Sequence, residues 1–410
     1  MSQNNGLYKN INFVKIICDI HLFFVIYFYR LLVLILPIFI RKKTAQDGIL
    51  FLENFPIESS GYQYRAGKWR NIFEQNNLRC EVVTISENKE EFELLFNNIL
   101  RFMIKSLRKR FRQCLYAKKF KTVIVRRELL LFNDYGNLFM DKFLLKIHNN
   151  VVLDFDDDIA AAKRQPKKIT SIYGKLTQED GNKFNNALRL YKRFVVGSEY
   201  LKKRVLKENI NIKGSDVIVI PTCVDYDKYP AKIYSFNKEH VFTFGWIGGN
   251  QNYPLLQKII PVLNDLSKDH KFKLLVIGGK EFETQANFEI DFRKWGLNTE
   301  IKNLKEIDIG LMPLIDNDVS KGKCGFKLIQ YMGLGIVSIA TNITVNGEII
   351  KDEENGYLVN YDNSNWYDVL KKAINNKENF IILGEKARRT VVEKYSFSAN
   401  INKYIDFLCV

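Results

Sequence analysis

Metal chemistry has little to work with in this sequence, whose 410 residues include four histidines and six cysteines. The cysteines (Cys18, Cys80, Cys114, Cys223, Cys324 and Cys409) are scattered, with no C-x-x-C pair and no histidine-rich companions. That argues against structural zinc and against a disulfide framework, and it fits a reducing compartment. Acidic residues are also short: 46 Asp and Glu face 62 Lys and Arg, for a net charge of +16. Such a surplus favours anionic partners, namely nucleic acid, phospholipid headgroups or phosphorylated small molecules. No zinc-finger spacing, RNA-binding signature or basic-region heptad is present, so nucleic acid falls behind the other two. Solenoid repeats and low-complexity tracts are absent as well. What remains is globular composition, 46% hydrophobic and 26% charged, with length enough for two domains.

The least soluble stretch is residues 22–40, LFFVIYFYRLLVLILPIFI. As a helix it reaches ~28 Å, close to the ~30 Å of a bilayer core. Its one charge, Arg30, costs about 3 kcal/mol at a bilayer centre, while the Leu, Ile, Phe and Val residues each return roughly 0.3–0.6. Arg41, Lys42 and Lys43 follow, which places the C-terminal side in the cytoplasm by the positive-inside rule. Lys9 and Lys15 on the other flank weaken that orientation. Basic residues stand where a signal peptide would have its small-residue cleavage site. Residues 22–40 are expected to contact a membrane, spanning it or lying in its interface with Arg30 snorkelling to phosphate.

From Gly48 the pattern becomes short apolar runs separated by helix-length stretches. Strands are expected at 48–55, 80–86, 122–128, 150–157, 193–198 and 216–222. After a polar linker (223–238) more are expected at 241–249, 272–279, 307–314, 335–341 and 356–359. Helices are expected at 63–77, 87–118, 252–269, 325–334 and 363–376. Alternating β and α units imply parallel sheets covered on both faces, with ligands at the carboxyl ends of the strands.

Three segments carry chemistry. FGWIGGNQNYP (244–254) ends a strand in Gly248-Gly249 just before a helix, where glycine lets a phosphate approach the backbone. A tight turn with no ligand has the same appearance. In SKGKCGFKLIQYMG (320–333), Lys321, Lys323 and Lys327 surround Gly322 and Gly325 at a helix start, a natural diphosphate site. LDFDDDIA (153–160) ends a strand in acids. They read as metal ligands of Asp-x-Asp type, as sugar- or acceptor-facing carboxylates, or as caps of the next turn.

DIGLMPL, KGKCGFKLIQYMGLGIVSIAT, TVNGEII and ENGYLV together resemble the C-terminal half of the retaining, metal-independent group 1 glycosyltransferases of GT-B fold. VVGSEYLKK, VIPTCVD and SSGYQYR extend the likeness across roughly 48–376, in the family's order. The resemblance implies two Rossmann-like domains facing a cleft, preceded here by the hydrophobic, membrane-associating helix. The expected division is 1–45 membrane segment, 46–235 acceptor domain, 236–385 donor domain and 386–410 a helix returning to the first domain.

The resemblance also implies roles. Gly61, Gly248 and Gly249 would approach the donor phosphates, Arg65 would belong to the nucleotide-sugar-binding set, Lys323 and Lys327 would hold the diphosphate, and Gly347 and Glu348 would meet the sugar. Asp156 or Asp157 would contact sugar or acceptor, with no metal and no cofactor beyond the nucleotide-sugar co-substrate. Two features depart from the family. Its glutamate pair, eight positions apart, falls here on Gly322 and Gln330, the latter able to bond a ribose hydroxyl. The Arg and Lys common after the first strand of the second domain are missing from GWIGGNQNY, as if the charge had moved to 321–327. The expected function is sugar transfer, with retention, to a lipid-linked or cell-surface glycan at the cytoplasmic face of the membrane. A non-catalytic sugar-nucleotide-binding subunit and a nucleotide-sugar epimerase are the alternatives.

Overall fold

A computed structural model describes residues 3–40, 42, 45–97, 99–134, 136–162, 182–237 and 240–409, with backbone alone at 3–19, 22, 94–97, 99, 162 and 409. Two compact units result. The first comprises Met1–Val196, Lys202–Val219 and Ile405–Val410; the second comprises Gly197–Leu201 and Ile220–Tyr404.

The first unit holds a six-stranded parallel sheet in the order β2-β1-β3-β4-β5-β6. Its strands are β1 (Ile49–Leu52), β2 (Cys80–Val83), β3 (Thr122–Arg126), β4 (Val151–Phe155), β5 (Phe194–Val196) and β6 (Val217–Val219). Every residue of β1, β3, β4 and β5 is buried, which is why these strands read as near-continuous apolar runs. Helices α1 (Gln3–Phe39), α2 (Ile99–Tyr116) and α3 (Phe139–Ile147) belong to this unit. The Thr122 hydroxyl donates to the carbonyl of Leu408, which ties the chain's end to β3.

The second unit repeats the theme in the order β12-β11-β10-β7-β8-β9. Its strands are β7 (Phe242–Gly248), β8 (Phe272–Gly278), β9 (Glu289–Lys294), β10 (Ile309–Met312), β11 (Val337–Thr341) and β12 (Tyr357–Val359). Alternate residues of β8 enter different cores: Leu274 and Val276 join Leu263 and Trp366, whereas Leu275 and Ile277 join Leu328 and Met332. Strand order reverses between β7 and β10, the switch point at which open α/β sheets bind ligands. Helix α4 (Phe326–Gly333) follows β10. Strand β9 was not foreseen, because EIDFRK alternates charged and apolar residues as a half-buried edge strand does.

The N-terminal segment corrects one expectation. Among the described residues no helix is long and apolar enough to cross a membrane. Helix α1 instead packs along α2 and α3 of its own unit. Ile26 and Val33 are buried there, and the Tyr29 ring meets Phe111 edge-on at 5.6 Å. Arg30, read as a charge to be snorkelled, points into the unit and donates to the carbonyl of Asp134 at 2.8 Å. Arg41 and Lys43, used for orientation, lie outside the described residues.

Candidate active site

In the second unit, β7 ends at Gly248 and a one-turn helix begins at Asn250. A Cβ on Gly248 would lie 2.6 Å from the Trp246 ring and 2.8 Å from the Lys327 Nζ. Glycine therefore leaves room for the ammonium beside the strand end. That ammonium sits 3.9 Å from the centroid of the Trp246 ring, a cation–π contact. Lys323 Nζ donates to Asn252 Oδ1 at 2.9 Å, which ties the lysine loop to the turn after β7.

Gly325 caps α4 in the left-handed region, at φ +70°, and a Cβ there would come within 2.4 Å of Ile349. The chain can turn into α4 at this point because residue 325 lacks a side chain. The turn that carries Gly347 and Glu348 is linked to the same loop, since the Thr344 hydroxyl donates to the Lys321 carbonyl at 3.1 Å. Both Gly347 and Glu348 are exposed.

The three lysines are not equivalent. Lys321 pairs with Asp316 at 2.8 Å, whereas no carboxylate partner is found for Lys323 or Lys327 among the described residues. Burial, reinforced by the charge of Lys323, pushes Lys327 well below the ordinary lysine range. Two crowded basic side chains at the start of α4 make a region whose chemistry suits an anion. Gln330 is buried at 3% exposure and its Nε2 has no partner among the described residues, so a donor is available there to a hydroxyl.

In the first unit the acids at the end of β4 meet arginines instead of open solvent. Asp154 is paired with Arg65 and, at 3.5 Å, with Arg126. Asp156 accepts from Arg126 at 2.5 Å and from Arg127 at 3.2 Å. Asp157 also accepts from Arg127 at 3.2 Å, but its side chain stays 42% exposed. Asp158 accepts from the amide of Ala161, as a cap does.

Two sequence expectations change as a result. Arg65 was expected among the nucleotide-sugar-binding residues, yet it is 2% exposed and paired with Asp154. Asp156 was read as a ligand-facing acid. Burial alone would raise its carboxyl, but Arg126, Arg127 and Arg65 outweigh that and hold it far below the carboxylate range. It orders the arginines and does not take up a proton near neutrality. Asp157 alone of the pair presents a carboxylate outward. Gly61 meets nothing within 4 Å of a would-be Cβ, so the unit's own packing does not require glycine there.

Sequence reasoning missed Arg126, Arg127 and Glu53. The signals were Arg126-Arg127 closing the apolar run TVIV and Glu53 closing ILFL, each a charge at the carboxyl end of a buried strand. Arg127 adopts φ +64°, an uncommon conformation for a side chain of this size. Glu53 is 1% exposed, its Oε2 has no partner among the described residues, and burial raises its carboxyl against the opposing pull of Arg126.

Residues 238–399 match the family described as Glycosyl transferases group 1. Among solved structures, a glycosyltransferase from Rickettsia africae ESF-5 superposes with a TM-score of 0.57 at 15% identity, covering 90% of this chain and 99% of that one. Sucrose-phosphate synthase from Thermosynechococcus elongatus gives a TM-score of 0.62 at 11% identity, covering 88% and 98%. Anabaena HepE, solved in complex with UDP-glucose, gives 0.55 at 12% identity, again covering 88% and 98%. At such identities the likeness speaks for the fold. No curated protein matches the chain. With two parallel six-stranded sheets and a lysine-bearing loop at the switch point of the second, the chain has the GT-B fold, and its residues 238–399 are similar to the group 1 glycosyltransferases.

Proposed function

We propose that the enzyme moves a hexose-like sugar from a nucleotide diphosphate to a hydroxyl of a lipid-linked or cell-surface glycan, with retention and without a metal. The observation that carries this reading is the pair Lys323 and Lys327 at the start of α4, two basic side chains without a carboxylate partner among the described residues. The second unit holds the donor. Lys323 and Lys327 take the diphosphate oxygens, and the backbone at Gly248 and Gly249 approaches the same group. Gln330 bonds a ribose hydroxyl, and Gly347 and Glu348 meet the sugar. As the sugar–phosphate bond breaks, negative charge grows on the leaving oxygen, and fixed ammonium groups stabilise that state more than the ground state. The complex of HepE with UDP-glucose supports a nucleotide sugar as donor class.

The first unit receives the acceptor, with Asp157 accepting hydrogen bonds from its hydroxyls. Asp154 and Asp156 have guanidinium counter-charges in the places where Asp-x-Asp chemistry needs a cation. The exposed apolar side of α1 holds the enzyme at the cytoplasmic face of the membrane. A transfer assay that follows nucleotide diphosphate release, with the product anomer assigned by NMR, tests the reading. Transfer with retention that survives excess EDTA is expected. Inversion, or loss in EDTA restored by Mn²⁺, would overturn it.

A further inference from the structure

Nine residues of α1 form one exposed apolar stripe: Ile20, Phe24, Tyr27, Phe28, Leu31, Leu34, Ile35, Ile38 and Phe39. Their spacing of three and four puts them on one side of the helix, over a length of ~28 Å. Ile38 and Phe39 are each 77% exposed and Phe24 is 66% exposed. A folded surface rarely leaves an apolar strip of this size open to water. From Ile20 to Phe39 the sequence has no Asp, Glu or Lys, and its one Arg is turned inward at Asp134.

The neighbouring helix supplies charge. Helix α2 (ILRFMIKSLRKRFRQCLY) has six basic residues and no acidic one. Arg110 is buried and donates to Leu129 and Asn54, and Lys105 pairs with Glu91. Arg108 and Arg112 stay exposed, and they flank Phe111, the residue that meets Tyr29 of α1. An uncharged apolar stripe is thus bordered by cations on the helix packed beside it.

We propose that α1 and α2 together form an in-plane docking surface for anionic phospholipid. The stripe enters the acyl boundary to a depth of ~5–10 Å, and Arg108 and Arg112 lie at the level of the phosphates. This deepens the membrane contact proposed above and rests on it. The geometry is parallel to the bilayer because Ile26, Val33, Tyr29 and Arg30 bind α1 to its own unit along its inner side. Crossing the bilayer would strip Arg30 from the Asp134 carbonyl. A second copy of the chain is a poorer occupant, since it would bring its own arginines against these.

Flotation of the full-length protein, diluted from mild detergent, tests this with phosphatidylcholine vesicles and with vesicles holding about one-third phosphatidylglycerol. Binding is expected to be strong on the anionic vesicles and to fall with salt. Arg108→Gln/Arg112→Gln should weaken it roughly 25-fold, about five-fold per charge, and leave the phosphatidylcholine baseline unchanged. Leu34→Glu/Ile38→Glu should abolish binding to both. Thermal stabilisation by the nucleotide-sugar donor must persist in both variants, which shows that they fold. Salt-independent binding, equal on both vesicles and unmoved by the arginine variant, would overturn the anionic-lipid surface while the membrane contact stands. Absence of binding to either vesicle would overturn both. So would a wild-type dimer that Leu34→Glu/Ile38→Glu converts to a monomer, since the stripe would then be a contact between copies.

Discussion

Lys327 is expected to set the pH behaviour of donor binding if the proposed site holds the diphosphate. Its ammonium is held below the ordinary lysine range by burial and by Lys323, and a diphosphate stabilises only the protonated form. Donor affinity is therefore expected to fall as pH rises through the depressed value, at a lower pH than an ordinary lysine near 10.4 would give. Calorimetric titration at several pH values checks this, and Lys327→Arg should extend tight binding upward because guanidinium stays charged. Lys323→Ala and Lys327→Ala should each weaken donor binding or transition-state stabilisation by about 1.5–3 kcal/mol, roughly ten- to 150-fold. Asp156 works in the opposite sense. Its folded-state value lies below the unfolded one, so its stabilisation is complete above about pH 3.9 and is lost as pH falls further. Asp156→Asn should cost about 3–5 kcal/mol at neutral pH by leaving two guanidinium groups undercompensated, and it should flatten the acid limb of a denaturant-stability profile. The charges themselves were legible as residues ending apolar strands. Their pairing was not, because Arg65 and Asp154 are 89 positions apart and meet only through the sheet.

Two glycines separate turns that the fold requires from turns that it leaves open. Gly325 holds φ +70° against Ile349, so Gly325→Ala should destabilise the second unit by about 1–3 kcal/mol and disturb the lysine loop. Gly61→Ala, with nothing within 4 Å, should change stability by no more than about 0.5 kcal/mol. Denaturant midpoints compare the two directly, and a Gly325→Ala protein as stable as wild type would remove the argument for a constrained loop. Strand positions could be read from the sequence because parallel strands buried on both faces have no polar face to blur the run. Strand β9 escaped because one side of an edge strand faces water. The helix expected at 252–269 forms as two pieces, Tyr253–Gln257 and Ile260–Leu266, and Pro261 sits in the first turn of the second. Helix α1 ends at Phe39, one residue before the apolar run does, but its packing depends on partners in α2 and α3 that no local pattern announces.

For the whole molecule, two parallel sheets of six strands each present their carboxyl ends with different chemistry. The second offers two lysines without a carboxylate partner among the described residues, suited to a diphosphate. The first offers a nearly balanced arginine–aspartate network with Asp157 outward, suited to neutral, hydroxyl-rich ligands. On the proposed metal-free reading, EDTA should leave turnover intact. The central claim is that the donor diphosphate sits on Lys323 and Lys327. A thermal-shift titration of the wild type and of Lys323→Ala/Lys327→Ala with UDP-, GDP- and TDP-sugars tests it most directly. One nucleotide sugar should raise the wild-type melting temperature in a saturable way, and the double variant should fold yet need at least about 100-fold more of it. An equal shift at equal concentration in both proteins would contradict the account and place the donor elsewhere.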